Sequence, residues 1–407
     1  MDRNPRLVSL TRKPVAKTAS ASALPMQMNP TRQTTPNVLF LSTSIGHRTF
    51  RKTVRMIEEA GASVLLIGFS RGKYPESVEP YEIQEFDVLE HGHYARRVLQ
   101  MIGVIRNTRK LVKKFDYVHV FSLDSLILSR LSSAGFSISL IYQVQDIRPT
   151  LIGKGFKARV ARAVERALLN KVSHVVVSSA AFLTEHFERY YNMQNITASV
   201  IENKLEYDPM ADRKINEKLL PANYLRIGYF GVLRCPRSWE ILVKAVNLDA
   251  NDSTELFVRG IPSRIPCFDT DIERSSHIHY GGPYRDPDDL DELYSNIDIV
   301  WAAYPYGHGL PGNWQMARTV RFYEAGAYGI PVIVQAGTQD AQFVQQHEIG
   351  LVVDMADVDA AIESIHSITS EQLKLWQENI RSLPRTTFIH SDEYMKLLDQ
   401  ITAVVNR

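Results

Sequence analysis

Pro305-Tyr-Gly-His-Gly-Leu-Pro-Gly-Asn-Trp-Gln-Met-Ala-Arg-Thr-Val-Arg-Phe-Tyr-Glu-Ala-Gly-Ala-Tyr-Gly-Ile-Pro-Val-Ile333 reads as a glycine-rich loop, a helix and a buried strand. Asn313 is a good N-cap, so the loop is expected to bring a helix N-terminus to the carboxyl edge of a parallel sheet. Unpaired N–H groups and the positive end of the dipole there suit a diphosphate. Arg318, Arg321 and Glu324 recur at three-residue spacing, which places them on one broad helix face. Two cations oppose phosphate charge, and a carboxylate accepts hydrogen bonds from vicinal ribose hydroxyls. The same spacing also makes a surface ion-pair ladder, and spacing alone leaves both open.

Outward from this unit, the chain repeats short apolar runs alternating with helical segments, the pattern of parallel sheets covered by helices. Strands are predicted at 38–41, 63–67, 117–121, 137–142, 174–177 and 199–201, then, after a polar stretch with Pro209 and Pro221, at 226–230, 256–259, 277–280, 297–302, 331–334 and 351–353. The fold class is therefore α/β, with two doubly wound, Rossmann-like domains facing a cleft. Their expected bounds are 37–205 and 224–375, joined by a linker at 206–223. A basic tail at 1–36, too polar to offset its ordering entropy, precedes them. Residues 376–407 carry helices, over about 370–382 and 391–405, that are expected to brace the first domain.

Composition bounds the function. The 407 residues are 44% hydrophobic and 23% charged with net charge +2, which suits two globular domains and gives no support to nucleic-acid binding. Cys235 and Cys267 stand apart, so neither a disulfide framework nor a zinc cluster is expected, and a reducing, cytoplasmic setting fits. No apolar run reaches the length of a membrane span. Between Arg96 and Lys114 there are seven Lys or Arg residues and no acid, and Lys154 to Lys171 forms a second basic amphipathic stretch. Such faces suit either the anionic inner leaflet of the plasma membrane or a pair of solvated helices covering a sheet.

The run Arg321-Phe-Tyr-Glu-Ala-Gly-Ala-Tyr-Gly-Ile-Pro-Val-Ile333 resembles the donor-site motif of the family-4-type GT-B glycosyltransferases, similar to those of bacterial exopolysaccharide (succinoglycan-type) synthesis. Ile227-Gly-Tyr-Phe-Gly-Val-Leu-Arg234, Phe257-Val-Arg-Gly260, Ile278-His-Tyr-Gly-Gly282, Asp289-Leu-Asp-Glu-Leu-Tyr-Ser-Asn-Ile-Asp298, Asp116-Tyr-Val-His-Val120, Asp146-Ile-Arg148 and Val200-Ile-Glu-Asn203 follow the family in order. The resemblance implies a nucleoside-diphosphate hexose donor, UDP- or GDP-linked, with Glu324 at the ribose and Gly231, Arg234 and Arg237 at the diphosphate. It places Arg321 at the distal phosphate or the sugar, and Gly281, Gly282 and Tyr284 beside the base. It suggests retention of configuration. Inversion would instead require a base such as Asp146 or Asp124. Arginines and a helix terminus can meet the leaving-group charge without a metal, so no metal or other cofactor is expected, and the two basic stretches point to a lipid-linked glycan acceptor.

The chain departs from the pattern in two places. Met316 stands where many members carry a sugar-binding Glu, which shifts sugar contacts to the Gly307-His308-Gly309 loop, and Gln145 stands where many carry a His. Two further features bear on the function. Asp269-Thr-Asp271 matches the metal site of another glycosyltransferase fold, or is a pair of helix N-terminal acids. The loop with His47 and Arg48 has one glycine where a dinucleotide fingerprint needs three, which disfavours an oxidoreductase. A GT-B-fold sugar-nucleotide epimerase and a non-catalytic scaffold are the alternative functions.

Overall fold

The computed structural model describes residues 35–42, 48–69, 83–86, 105–193, 196–211, 224–249, 251, 253–263, 265–303 and 313–405. These form two compact units, 1–201 with 391–407, and 202–390.

The first unit contains β1 (Asn37–Ser42), α1 (Arg48–Glu59), β2 (Ser63–Phe69), β3 (Ile83–Phe86), a helix over 105–112 (α2), β4 (Tyr117–Phe121), α3 (Ser122–Ser132), β5 (Ser139–Val144), α4 (Pro149–Ile152), α5 (Phe156–Leu169), β6 (Val172–Val177), α6 (Ala180–Phe182) and β7 (Thr197–Val200). Its sheet is parallel, in the order β3-β2-β1-β4-β5-β6-β7. The central strands read as unbroken apolar runs because helices cover both faces. β3 was not predicted: Ile-Gln-Glu-Phe is four residues with two polar ones, too short for a periodic signal.

The second unit contains β8 (Leu225–Leu233), α7 (Pro236–Asn247), β9 (Thr254–Pro262), α8 (Phe268–Arg274), β10 (Ile278–Tyr280), α9 (Leu290–Ser295), β11 (Ile299–Trp301), α10 (Val320–Ala327), β12 (Val332–Gln335), α11 (Gln339–His347), β13 (Gly350–Val353), α12 (Val358–His366) and α13 (Ser370–Ser382). Strand order is β10-β9-β8-β11-β12-β13. It reverses between β8 and β11, and a crevice beyond their carboxyl ends is where such sheets take ligands. Along β8 the side chains alternate between two cores: Ile227 and Tyr229 join α7 and α12, and Phe230 joins α9 and α10. At the opposite edge the buried Asp298 carboxylate accepts from Arg226 N at 2.9 Å and from its guanidinium at 3.1 and 2.8 Å, pinning β8 to β11.

The bounds of the units differ from the expected ones in two ways. Residues 202–205, expected in the first domain, and 206–211, expected in the linker, belong to the second unit: Leu205 bridges Ile389, and Asp208 pairs with Arg385 at 2.6 Å. Residues 376–390 also stay there, because Trp376 and Ile380 of α13 are buried in its cores. Only α14 (Glu393–Val405) joins the first unit, where Tyr394, Leu397, Leu398 and Ile401 pack with Phe50, Val54 and Ile57. The expected tail, except residues 35 and 36, and most of the expected linker lie outside the described residues.

Candidate functional site

Three glycines line the carboxyl ends of β8, β9 and β10. Gly231 and Gly260 are partners in register, at φ +101° and +140°, and a Cβ on Gly260 would lie 1.8 Å from the Gly231 oxygen. A side chain is excluded at Gly260 by both backbone conformation and contact, and disfavoured at Gly231 by conformation. Gly260 N–H donates to the Gly282 carbonyl at 2.8 Å, and Gly282 has φ +74°. Arg259 braces the same loop, donating to the Gly282 and Pro283 carbonyls at 3.3 Å each, and occupies the space a Cβ on Gly281 would need. The Tyr284 hydroxyl lies 3.9 Å from the position of a Gly231 Cβ. The result is backbone bare of side chains at one sheet edge, half-buried at Gly231 and Gly282, which a phosphate can approach closely.

From Gly231 the chain leads through exposed Arg234 to α7, whose N-cap is the buried Cys235; its sulfur accepts from Ser238 N at 3.4 Å. Pro236 at the first position has no N–H to satisfy. Arg237 pairs with Glu240 at 3.4 Å, so the cation assigned to the diphosphate is held within its own helix.

The helix α10 begins later than the sequence suggested. Asn313 starts a separate 3₁₀ turn, and the N-cap is Thr319, whose hydroxyl accepts from Phe322 N at 3.1 Å. Arg318 therefore precedes the helix and does not share its face with Arg321 and Glu324. Its guanidinium lies over Phe343 and Phe322, at 4.5 and 5.2 Å, and 3.6 Å from Glu202. The aromatic rings and the carboxylate hold it as a brace for the start of α10. Buried Asp340 completes that brace, accepting from Thr319 N at 3.0 Å; burial pushes its carboxyl up to about 7.

Arg321 reaches the glycine edge. Its Nη1 donates to the Phe230 carbonyl at 2.7 Å, one residue before Gly231, and its guanidinium lies 5.4 Å from the Tyr229 ring centre. Glu324, one turn on, is buried and accepts from the Tyr294 hydroxyl at 2.8 Å. Burial above all, then the Glu324 charge, pushes Tyr294 well above its ordinary value, so the tyrosine stays protonated and donates. Tyr294 also stacks on Tyr328 at 4.9 Å and takes Phe230 edge-on at 5.6 Å. The small helix end Ala325-Gly326-Ala327 has a packing reason: a Cβ on Gly326 would fall 2.1 Å from the Phe388 ring.

The structure thus gathers Arg321, Glu324, Gly231 and Tyr284 around the β8–β11 switch, with Gly282 at the edge of the same loop. Phe230 and Tyr294, known from sequence only as parts of matching segments, join them through tertiary packing, and Asp340, which carried no sequence signal, holds the start of α10. Gly307, His308 and Gly309 lie outside the described residues, as does His47, and nothing is described of the Arg48 side chain. Asp269 and Asp271 occupy the first turn of α8, and Asp271 accepts from the Trp239 indole at 2.8 Å, the geometry of helix N-terminal acids.

In the first unit Asp146 is exposed just beyond β5, and Asp124 forms an ion pair with Arg148. His119 is fully buried, meets the Gln143 side-chain oxygen at 2.7 Å and stacks on Phe40. Burial pushes its pKa down to about 3, so it is a neutral core residue.

Residues 46–203 match the model of the glycosyl transferase 4-like domain, and residues 253–398 that of the glucosyltransferase 3-like C-terminal domain. The chain is 28% identical over 347 residues to the succinoglycan biosynthesis protein ExoL of Rhizobium meliloti (strain 1021), covering 82% of this chain and 84% of that one. Among solved structures, Anabaena Alr3699/HepE in complex with UDP and glucose superposes with a TM-score of 0.64 at 16% identity, over 91% of this chain and 99% of that one. WaaG, a glycosyltransferase involved in lipopolysaccharide biosynthesis, gives 0.63 at 17%, over 90% and 99%. Likeness at these identities establishes the GT-B fold.

Proposed function

As this chain is a family 4-like glycosyltransferase of GT-B fold, we propose that it moves a hexose from a UDP- or GDP-linked donor to a lipid-linked glycan in polysaccharide assembly. The observation that carries the donor site is Arg321 fixed on the Phe230 carbonyl beside Gly231, with Glu324 on the next turn. The relative named for succinoglycan biosynthesis and the neighbour solved with UDP and glucose support the substrate classes.

In this reading the diphosphate lies along the bare backbone of Gly231 and Gly282 toward the N-terminus of α7. Glu324 receives the ribose hydroxyls, and Tyr284 flanks the base. As the glycosidic bond breaks, negative charge grows on the leaving phosphate while the sugar becomes oxocarbenium-like. Arg321, Arg234 and the helix terminus meet that charge without reorganising, so no metal is invoked. The acceptor attacks on the leaving-group face and retains configuration, with the departing phosphate taking its proton. Asp146 is then not required as a base.

Incubation with UDP-, GDP- and TDP-sugars, with and without membrane extract, tests this. Transfer only in the presence of extract, giving a product with the donor's anomeric configuration by NMR, is the expected result. Epimerised sugar nucleotide, or an inverted linkage lost in Asp146→Asn, would refute it. Glu324→Ala is expected to weaken UDP binding roughly 30-fold by titration calorimetry, about 2 kcal/mol, the worth of one charge-assisted hydrogen bond to the ribose. Unchanged affinity would move the ribose elsewhere.

A further inference from the structure

The helix α5 turns its acid inward and its apolar side chains outward. Phe156, Val160 and Val164 are 79%, 47% and 44% exposed. At i, i+4 and i+8 they form one stripe about 12 Å long, with exposed Ala163 and Ala167 on the same face. Among the described residues no other element carries three exposed large apolar side chains. Exposed Lys157 lies on one flank and Arg159 on the other, while Lys154 and Lys171 stand at the two ends.

The single acid of the helix, Glu165, is 1% exposed. It accepts from the Tyr142 hydroxyl at 3.0 Å and the Tyr191 hydroxyl at 2.5 Å, and meets His186 Nε2 at 3.0 Å. Half-buried Arg162 and exposed Arg166 are spent on backbone carbonyls: Arg162 on Leu151 and Gly153 at 2.6 and 2.8 Å, Arg166 on Tyr190 at 2.7 Å. The helix thus presents apolar side chains and cations outward, and no carboxylate.

We propose that this face of α5 docks the protein on an anionic lipid surface. Phenylalanine and valine enter the boundary between headgroups and acyl chains, and the flanking cations reach anionic headgroups. Each cation held near an anionic leaflet raises affinity about five-fold, so the lysines and Arg159 matter as much as the stripe. A second copy of the chain would meet the face with the same cations and is disfavoured by charge. Of the two basic stretches in the sequence, this one shows the geometry. In the other, Arg109 and Lys113 of the described part lie over Phe136, at 4.3 and 4.2 Å.

The test is flotation with vesicles of phosphatidylcholine, alone or with roughly 30% phosphatidylglycerol, at physiological ionic strength. It needs neither donor nor acceptor, so its outcome is separate from that of the transfer assay. The intact chain is expected to float only with the anionic vesicles. Phe156→Ser with Val160→Ser, and separately Lys157→Glu with Arg159→Glu, should each weaken binding at least about ten-fold, with the circular dichroism spectrum and UDP affinity unchanged. Failure of the intact chain to bind anionic vesicles overturns the proposal. So does binding that both double variants retain, which would place it on another basic segment such as the N-terminal tail. A dimer in light scattering that the serine variant dissolves would assign the face to a second copy and also overturn it.

Discussion

Arg321→Ala is expected to lower kcat by a factor of roughly 10² to 10³, with a smaller effect on donor KM. Removing one preorganised donor aimed at developing charge costs about 3 to 4 kcal/mol in a water-poor site, because nothing mobile can replace it without reorganising. Arg321 is preorganised by its 2.7 Å bond to the Phe230 carbonyl and by the Tyr229 ring, which together fix the plane of the guanidinium. That planar fork has five donors, so it can hold the carbonyl and still meet a phosphate oxygen. Lysine supplies the charge without the fork, and Arg321→Lys is expected to recover only part of the rate, staying about ten-fold or more below the parent. Steady-state kinetics with the donor identified by the sugar-nucleotide panel checks both variants. Loss of the Phe230 partner has its own cost of about 1 to 3 kcal/mol in stability, so folding must be followed in parallel. All four tryptophans, Trp239, Trp301, Trp314 and Trp376, lie in the second unit, and their fluorescence reports on it alone. A folded Arg321→Ala variant with unchanged kcat would remove the residue from the reaction. A rise in KM alone would make it a ground-state contact.

The part of this site legible in the sequence is the part made of local pattern. Strand, glycine and helix follow one another along 227–238 and 318–334, and period and punctuation report such order directly. Both doubly wound sheets and all their strands except β3 were readable for that reason. The register Gly231 to Gly260 was not, although it decides how close the two strands come, because a glycine in a strand signals a close approach without naming its partner.

The errors came from terminal residues and long-range partners. Asn313 and Thr319 are both good caps, and choosing Asn313 put Arg318 on a helix face it does not occupy. What selects Thr319 is Asp340, twenty-one residues on, whose carboxylate takes the Thr319 N–H. Likewise Glu202, known from sequence only as part of a matching segment, acquires meaning through Arg318, 116 positions away. The C-terminal helices show the same limit. Their extents were readable from apolar period, but which core each helix enters is decided by shape, as Trp376 in one unit and Leu398 in the other demonstrate.

Asp340→Asn is expected to reverse the sign of its effect on stability between pH 5 and pH 8. In the folded chain the Asp340 carboxyl sits at about 7, against 3.8 for an ordinary aspartate, and burial is the main cause. The Thr319 N–H and Arg318 pull it down, while Glu202 pushes it further up. The folded state therefore binds a proton that the unfolded state has released between about pH 4 and pH 7. Stability from this group is full below about pH 4 and is lost as pH rises through 7, at most roughly 4 kcal/mol for a shift of this size. Asparagine keeps a carbonyl oxygen for Thr319 N–H and cannot ionise. Its amide instead faces the position of Asp340 Oδ1, a buried atom with no hydrogen-bond partner among the described residues, at a cost of about 1 to 3 kcal/mol. At pH 5, where Asp340 is protonated in the folded chain, the variant should be the less stable of the two. At pH 8 it should be the more stable, because the parent then buries a carboxylate. Urea unfolding followed by tryptophan fluorescence at both pH values measures the difference on the unit that holds Asp340. Curves that stay parallel across this range would show that Asp340 is ionised throughout, with Arg318 and the Thr319 N–H outweighing burial. The start of α10 would then be held by a permanent charge rather than by a neutral acid. In either case Thr319 should remain the cap, since both side chains offer it the same acceptor, and kcat for Asp340→Asn at pH 8 should stay within about three-fold of the parent.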